Sequence, residues 1–275
     1  MKTVLITAGT KNTGFVMAKL FAQKGWEVHL TSRDEKAAFD AAEKLKTEVP
    51  GTRAFGYGMD QGNSESLKSA FLAIRQNTEK LDALVCNAAN LGLGLDVFNL
   101  TEEDFDTVMD CNLKGTLFVA REAAKLMLGG GSMVLMGSVQ GKGAIEGRLL
   151  YGVSKAGIAA MSQYLAFDLA PYGIRVNTLV AGAIRTNRWD GITPEEEARR
   201  RAPYPVGRES SMEEIAKGVY YLASEDSATV TGTELVIDSG VLLPILPYAN
   251  RKKLRHEEFE TEAASDQKTA EKAAR

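Results

Sequence analysis

Short apolar runs alternate with longer amphipathic segments along most of the chain. The short runs are rich in β-branched residues and predict strands at 3–7, 27–31, 52–57, 81–86, 132–136, 173–179 and 234–238. The longer segments carry apolar side chains at helical spacing and predict helices at 15–24, 37–47, 64–78, 102–128, 151–170 and 213–222. This alternation predicts an α/β fold, a single Rossmann-type, doubly wound parallel β-sheet flanked by helices.

The pattern also predicts where the domain and two of its helices begin or end. Gly25 is expected to end the first helix, and Ser64 is expected to cap the third helix at its start. The alternation stops near residue 246, and residues 251–275 are dense in Lys, Arg, Glu and Ala. We therefore expect one Rossmann-fold domain at 1–246 and a charged tail at 247–275 that is partly helical or disordered, or that binds a partner.

Composition narrows the classes of function. The 275 residues carry a formal net charge of -3, which lacks the basic excess that a nucleic-acid-binding face needs. No apolar run reaches about 18 residues, and the first apolar stretch is too short for a signal peptide, so we expect no membrane association and a cytoplasmic location. Cys86 and Cys111 lie in apolar segments and are expected to be buried free thiols. With His29 and His256 they show no ligand-like spacing, so no metal site is expected.

A turn of small residues follows the first predicted strand. Small residues between a first strand and a first helix let the backbone approach a pyrophosphate at the helix N-terminus. The strict G-x-G-x-x-G pattern is absent, so an ordinary small-residue turn remains an alternative on this segment alone. If the turn binds a dinucleotide, its contacts are expected at Ala8, Thr10, Lys11, Thr13 and Gly14.

The end of the second strand bears on the choice of cofactor. Ser32 stands where an NAD-selective site usually carries a carboxylate for the ribose 2′-hydroxyl, and Arg33 follows it. A guanidinium can hold a 2′-phosphate in a bidentate manner, and Lys11 would add a second positive charge. Each cation has the alternative of a solvated surface side chain. Together they favour NADP(H), with NAD(H) still possible.

Tyr151 and Lys155 lie one helical turn apart on one face of a predicted helix. A nearby ammonium lowers the pKa of a phenol from its usual value of about 10, which suits the phenol to give a proton to a carbonyl oxygen. The spacing alone is weak evidence, because Tyr248 and Lys252 share it in the tail. The distinguishing feature of Tyr151 is its place just after a strand-end loop that contains Ser138, at the edge where α/β sheets bind ligands.

Several ordered blocks across residues 3–243 resemble the short-chain dehydrogenase/reductase family, and the overall pattern is most similar to members that reduce 3-oxoacyl-carrier-protein substrates. Residues 7–14 resemble the family's Thr-Gly-x-x-x-Gly-x-Gly turn, residues 86–89 its Asn-Asn-Ala-Gly block, and residues 181–186 its Pro-Gly block. Asp60 resembles the acid that contacts the adenine. The family's catalytic order is matched by Asn112, Ser138, Tyr151 and Lys155.

The resemblance implies a role for each of these residues. Tyr151 would be the general acid in reduction and the base in oxidation, while Lys155 would lower its pKa and bind the nicotinamide ribose. Ser138 would hydrogen-bond the substrate oxygen, and Asn112 would position a water in a proton relay. Further cofactor contacts are implied at Ser32, Arg33, Asp60, Asn87, Ala88, Tyr151, Lys155, Gly182, Ile184 and Thr186.

The departures from the family pattern fall on the cofactor side. Ala8 and Asn12 replace the first two glycines of the turn, and Cys86, Ala89 and Ala181 replace Asn, Gly and Pro. Asparagine tolerates left-handed backbone angles, whereas alanine is strained if its φ is positive. These changes bear on cofactor affinity more than on the chemistry.

The sequence thus predicts an NADP(H)-dependent oxidoreductase that transfers a hydride between nicotinamide and a carbonyl or secondary alcohol, such as a 3-oxoacyl thioester, a sugar or polyol, a steroid or another ketone. Substrate choice is expected in 139–150 and 187–211, where the basic run 199–201 is either an anion site or a solvated helix face. The altered turn motivates one alternative, a catalytically weak nucleotide-binding regulatory protein. The resemblance also implies a homotetramer built on the segment 102–128 and the helix from Tyr151.

Overall fold

The apolar runs of the sequence form the strands of one parallel sheet in a computed structural model, which describes residues 1–95 and 97–243 with the exception of the Arg188 side chain. The strands are β1 (Thr3–Ile6), β2 (Glu27–Ser32), β3 (Ala54–Gly58), β4 (Ala83–Cys86), β5 (Gly131–Ser138), β6 (Ile174–Ala181), β7 (Ile184–Arg185), β8 (Ser210–Ser211) and β9 (Glu234–Ile237). Seven of them form the main sheet in the order β3-β2-β1-β4-β5-β6-β9, and β7 pairs with β8 separately. Residues 247–275, with Tyr248 and Lys252, lie outside the described residues.

The helices fill the segments between the strands. They are α1 (Asn12–Gln23), α2 (Glu35–Glu48), α3 (Ser64–Asn77), α4 (Glu102–Met109), α5 (Thr116–Ala124), α6 (Leu149–Leu169), α7 (Pro194–Arg201) and α8 (Met212–Ala223). A π-helical turn, Asp110–Gly115, joins α4 to α5. Of the helices in the described ranges, none has the length and apolar character that crossing a bilayer requires.

The core forms two layers, one on each face of the sheet. Apolar residues of α1, α2 and α8 cover one face, where Phe21 and Val219 are fully buried. The opposite face is covered by α3, α5 and α6, with Ile74 and Val119 fully buried. Because helices cover both faces and all seven strands run parallel, the predicted doubly wound α/β fold is confirmed.

The structure corrects three local predictions. The N-cap of α3 is Asn63 rather than Ser64, because the Asn63 side-chain oxygen accepts hydrogen bonds from the backbone N–H groups of Glu65 and Ser66. The helix predicted over 102–128 is interrupted by the π-helical turn. The segment 187–211, which was expected only as a substrate loop, contains α7 and β8. Gly25, with φ of 79°, follows α1 as predicted.

Candidate active site

The chain order of the strands reverses between β1 and β4, and the predicted site residues lie around that point. In a doubly wound sheet, the crevice for ligands opens outside the carboxyl ends of the strands where the order reverses. We call this the carboxyl edge. Its members end strands of the main sheet or follow them within two residues, and they are Ala8 after β1, Arg33 after β2, Asp60 after β3, Asn87 after β4, Ser138 at the end of β5 and Gly182 after β6.

Two glycines bring Ser138 to the start of α6. A Cβ atom at Gly141 would lie 2.8 Å from the carbonyl carbon of Lys155, and one at Gly152 would lie 2.9 Å from the backbone oxygen of Gln140. Only glycine allows the turn after β5 to approach the helix this closely. The Ser138 hydroxyl oxygen accepts a hydrogen bond from the Gln140 N–H at 3.2 Å, which fixes it within that turn.

Lys155 is buried beside the ring of Tyr151. Only 5% of Lys155 is exposed, and its Nζ lies 5.5 Å from the centre of the Tyr151 ring. The same Nζ donates a hydrogen bond to the backbone oxygen of Met136 in β5 at 2.6 Å. Burial lowers the pKa of Lys155 from its ordinary value of 10.5 to about 8, because a buried ammonium loses its hydration. The amine therefore gains or loses its proton close to neutral pH.

Asn112 is held on three sides within the π-helical turn. Its side chain is 1% exposed, accepts from the Asn90 N–H at 2.6 Å and donates to the Asn90 backbone oxygen at 2.8 Å. Its second amide hydrogen is donated to the hydroxyl of Ser154 at 2.9 Å. The Ser154 hydroxyl in turn donates to the backbone oxygen of Tyr151 at 2.8 Å. A continuous path of hydrogen bonds thus connects Asn112 to the first turn of α6.

Ser154 is the residue of this path that the sequence analysis missed. It is fully buried and lies between Asn112 and Tyr151, so it fixes the two predicted catalytic elements relative to one another. The available signal was a small hydroxyl residue beside Lys155 on the inward side of a helix. Such a residue is also common in tight helix packing, and only the tertiary contact with Asn112 separates the two roles.

The residues that follow β4 hold the turn that follows β1. The Thr7 hydroxyl oxygen accepts hydrogen bonds from the N–H groups of Asn87 and Ala88, at 2.9 and 3.0 Å. The Asn87 side-chain nitrogen donates to the backbone oxygens of Thr7 and Ala8, at 3.2 and 3.1 Å. The structure therefore joins the two predicted cofactor segments directly.

Two residues of this turn adopt left-handed backbone angles without being glycine. Ala8 has φ of 50° and Asn12 has φ of 46°. Alanine in this conformation costs on the order of 1–2 kcal/mol, whereas asparagine tolerates it better. Gly14 keeps its glycine for a different reason, because a Cβ atom there would lie 2.3 Å from the backbone oxygen of Ala8. Helix α1 therefore packs directly against the turn, with Thr13 buried and Thr10 half-buried in it.

The N-terminus of α1 presents unsatisfied donors at the same place. Lys11 is its N-cap, no described side chain makes a capping hydrogen bond, and its first turn contains no acidic residue. An uncapped helix N-terminus suits a phosphate, because its free N–H groups and the helix dipole both favour negative charge. Lys11 and Arg33 are exposed and make no ion pair with any described residue. Ser32 is the last residue of β2, and its hydroxyl oxygen accepts a hydrogen bond from the Asp34 N–H at 3.3 Å. The Asp34 carboxylate caps α2.

The remaining predicted cofactor residues lie at the two flanks of the carboxyl edge. Asp60 accepts a hydrogen bond from the Gly62 N–H at 3.0 Å, which holds its carboxylate beside the end of β3. On the other flank, a Cβ atom at Gly182 would lie 2.7 Å from the Cα of Asp238, so glycine is required there. Ile184 belongs to β7 and is half-buried, and the buried Thr186 directly follows that strand.

The basic run 199–201 is engaged within its own part of the chain. Arg199 lies 3.8 Å from Glu196, Arg201 lies 2.8 Å from Glu197, and the Arg200 guanidinium lies 4.8 Å from the centre of the Trp189 ring. These contacts fit the helix-face alternative.

The two cysteines are free thiols, as expected, although only Cys86 is fully buried and Cys111 is half-buried. Burial raises the pKa of Cys86 to about 12, which keeps it a neutral thiol. In the described part of the chain, no group of three or more His, Cys, Asp or Glu residues is arranged to hold a metal ion.

The chain is similar to known oxidoreductases over most of its length. A family model described as enoyl-(acyl carrier protein) reductase matches residues 8–242. Carbonyl reductase family member 4 of Danio rerio is 31% identical over 243 residues, which cover 88% of this chain and 98% of that protein. NAD-dependent glycerol dehydrogenase of Listeria innocua is 31% identical over 245 residues, 87% of this chain and 93% of that protein. The solved structure of a mutant short-chain dehydrogenase/reductase from Serratia marcescens is 27% identical with a TM-score of 0.80, and covers 87% of this chain and 97% of its own.

Proposed function

Because this chain belongs to the short-chain dehydrogenase/reductase family and is an NAD(P)-dependent alcohol dehydrogenase or ketoreductase, we propose that it uses NADP(H) to interconvert a carbonyl group and a secondary alcohol. One observation carries the catalytic part of the proposal. Lys155 is buried beside the ring of Tyr151, and Ser154 ties the backbone of Tyr151 to Asn112. A titratable pair fixed from two sides at a ligand-binding edge is the arrangement that acid–base catalysis needs.

The residues of the carboxyl edge fit a dinucleotide phosphate. The uncapped start of α1 offers N–H groups, and a Cβ atom at Gly14 would close the space beside the turn. When bound, the nicotinamide cofactor supplies or accepts the hydride. Asp60 is assigned to the adenine end, and the contacts around the nicotinamide are assigned to Asn87, Ala88, Gly182, Ile184 and Thr186.

In reduction, the Tyr151 hydroxyl gives its proton to the substrate oxygen, and in oxidation the phenolate takes it back. The Ser138 hydroxyl binds the same oxygen and stabilises the negative charge that develops on it. Since the pKa of Lys155 is about 8, its ammonium form predominates at neutral pH. That charge lowers the pKa of the Tyr151 phenol and also binds the nicotinamide ribose.

Asn112 takes part in the proton relay through its backbone. Both hydrogens of its side-chain amide are donated, to Asn90 and Ser154. Its backbone oxygen accepts from the Thr116 hydroxyl at 2.7 Å and keeps a second lone pair for a water molecule. We therefore assign the relay water to the Asn112 carbonyl oxygen rather than to its side chain.

The preference for NADP(H) is supported by Lys11 and Arg33, two exposed cations near the α1 N-terminus that no described carboxylate neutralises. Arg33→Asp is expected to lower the ratio of kcat/KM for NADPH to that for NADH by about tenfold or more, since it removes a charge-assisted contact and adds repulsion. Lys68→Asp makes the same charge change on exposed α3 and should leave the ratio unchanged. An unchanged ratio in Arg33→Asp would remove Arg33 from the 2′-phosphate site.

The assembly and location of the enzyme are further parts of the proposal. Tyr164 and Phe167 on α6 are 75% and 82% exposed, and Phe105 and Leu117 are exposed on α4 and α5. Apolar exposure of this extent on neighbouring helices supports a homotetramer built on them. Light scattering tests this directly, and a monomeric mass would contradict it. The two free thiols support action in the cytoplasm.

The deciding experiment is a screen of NADPH oxidation and NADP⁺ reduction with ketones, 3-oxoacyl thioesters, sugars, polyols and steroids. Tyr151→Phe should lower kcat by about a thousandfold while calorimetry shows unchanged NADPH binding. Tyr172→Phe makes the same chemical change at an exposed residue that follows α6 and should keep its activity. Near-normal turnover by Tyr151→Phe would refute the catalytic assignment.

The same screen tests the second candidate function. The left-handed Ala8 is the observation that favours a catalytically weak, nucleotide-binding regulatory protein. NADPH binding by the wild-type protein without turnover on any substrate class would support that function and contradict ours. Absence of a calorimetric signal at millimolar NADPH would contradict both.

A further inference from the structure

A buried carboxylate lies where the segment that leaves the carboxyl edge returns to the body of the protein. The segment departs after β7, forms α7 and comes back at β8. Glu209, directly before β8, has a side chain only 1% exposed, and the guanidinium groups of Arg185 and Arg201 flank it. A buried carboxylate is costly unless charged hydrogen-bond donors compensate it.

Glu209, Arg185 and Arg201 form a charged cluster, and its hydrogen bonds are complete on the Arg185 side. The Arg185 Nη1 donates to Glu209 Oε1 at 3.1 Å and to Glu197 Oε1 of α7 at 2.9 Å. Glu197 also pairs with Arg201, one helical turn later, at 2.8 Å. Arg185 therefore links β7 both to the body at Glu209 and to α7.

On the Arg201 side of the cluster, the hydrogen bond to Glu209 is not formed. The Nε of Arg201 and the Oε2 of Glu209 are 3.7 Å apart, and both atoms are buried without a hydrogen-bond partner among residues 1–95 and 97–243. A charge-assisted hydrogen bond between them would need about 2.8 Å. A movement of the last turn of α7 toward β8 by about 1 Å would satisfy both buried atoms with one contact.

The cluster lies next to the residues proposed to contact the nicotinamide. Arg185 lies between Ile184 and Thr186, which the proposed function places against the nicotinamide. The helix that Arg185 and Glu209 hold belongs to the segment expected to choose the substrate. The cluster thus lies between the cofactor contacts and the helix on the substrate side.

We propose that Glu209 is a positioning residue that latches α7 in a closed state over the substrate, through the hydrogen bond from Arg201 Nε to Glu209 Oε2. The inference rests on the proposed function, because it takes the carboxyl edge as the substrate site. Closure that follows substrate entry strengthens the binding of substrate more than that of cofactor. Arg185 of β7 also bonds Glu209, so a shift of β7 would move the carboxylate that forms the latch.

The test compares Glu209→Gln, which keeps the shape and removes the charge, with Arg201→Lys, which keeps the charge and removes Nε. Both are expected to raise the KM for the carbonyl substrate about tenfold, with kcat and the KM for NADPH changed less than about twofold. The double variant should be no worse than the more affected single variant, because both break one contact. Glu213→Gln on the exposed start of α8 is the matched control and should match the wild type.

A readout without turnover separates the latch from the proposed function. Trypsin cleavage at Arg199, Arg200 or Arg201 is expected to be about fivefold faster in Glu209→Gln and in Arg201→Lys than in the wild type. The ligand-free protein exchanges between the half-formed contact and the latched state, and either variant removes the latched state that protects α7. If the wild type turns over no substrate, the proposed function fails and the latch is judged on cleavage alone. Unchanged cleavage in both variants overturns the latch. So does an equal change in kcat and in both KM values together with a fall in Tm, because that pattern indicates general destabilisation.

Discussion

The carboxyl edge has a proposed catalytic end, around Tyr151 and Lys155, and a proposed phosphate end, around Ala8 and the start of α1. The two ends are held in opposite ways. At the catalytic end, Asn112, Ser154 and Lys155 are buried, and each is hydrogen-bonded to another part of the protein. At the phosphate end, Ala8 has a disfavoured backbone angle and the start of α1 has no side-chain cap. The protein itself completes the first region, whereas the second leaves donors and cations for a ligand to satisfy. Substitutions should therefore change rate and stability at one end and cofactor affinity at the other.

Lys155→Met is expected to give the largest effect, as a pH-dependent change in the free energy of unfolding. The pKa of Lys155 is about 8 in the folded state and near 10.5 when unfolded, so the unfolded state binds the extra proton between these values. Wild-type stability should therefore gain up to about 3 kcal/mol from Lys155 as the pH rises from 8 to 10.5, and the variant should lack this gain. Urea unfolding of both proteins across this range, without cofactor, measures the difference. Parallel curves would mean that Lys155 is not desolvated.

Gly14→Ala should lower NADPH affinity by disturbing the phosphate end, while the catalytic end stays intact. The new methyl group would lie 2.3 Å from the backbone oxygen of Ala8, so the turn or α1 must shift. We expect NADPH affinity to fall by tenfold to about a hundredfold, which corresponds to about 2 kcal/mol. Calorimetric titration measures this. Gly143→Ala is the control, because a Cβ atom there meets nothing closer than 4.0 Å. Equal affinities in the two variants would contradict a packed turn.

Ser154→Ala tests the catalytic end of the comparison through the free energy of unfolding and kcat. Removing the hydroxyl leaves the Asn112 amide and the Tyr151 carbonyl without their shared partner, so unfolding should become easier by about 1.5 kcal/mol. We also expect kcat to fall about tenfold with unchanged NADPH affinity. Ser162→Ala offers a close control, because Ser162 is equally buried on α6 and bonds the backbone oxygen three residues earlier. It should lose stability without losing kcat, and a loss of kcat in both would make Ser154 merely structural.

Ala8→Gly should give the smallest effect and the opposite sign. Glycine adopts φ of 50° without strain, so the free energy of unfolding should rise by up to about 1 kcal/mol after the entropy of the added glycine is counted. Ala73→Gly, within α3, should instead lower it by about 1 kcal/mol. Denaturant unfolding of both variants measures whether the free energy of unfolding rises or falls in each. A loss of stability in Ala8→Gly would show that the turn is not strained at this residue.

The sheet and its helices were predictable because their apolar patterns are local. Most strand residues are apolar, and helices such as α6 follow the strands at regular intervals, so the fold class follows from the sequence. The placement of Ser138, Tyr151 and Lys155 at one edge also follows, because parallel strands end together. The sequence analysis therefore placed these three residues together but did not predict the hydrogen bonds that join Asn112, Ser154 and Tyr151.

The features that the sequence analysis missed depend on contacts between distant residues or on weak local signals. Helix α7 has no apolar face, and its signal was the capping box of Thr193 and Glu196. Arg185 and Glu209 meet through the fold rather than through periodicity. The sign of φ at Ala8 was also open, because it depends on how the turn packs against Gly14 and Asn87. Asn63 and Ser64 are both good N-caps, so the sequence did not decide between them.

The π-helical turn Asp110–Gly115 holds one residue more than an α-helix would over the same stretch. The wider turn takes up the extra residue, so α4 and α5 keep the relative orientation that they would have in one regular helix. Deleting one residue of the turn would therefore restore an α-helix and leave Val119 in the core, but it would remove the local geometry that turns Asn112 toward Asn90 and Ser154. A chain shortened by one residue in this turn is expected to keep its fold and to lose the placement of Asn112.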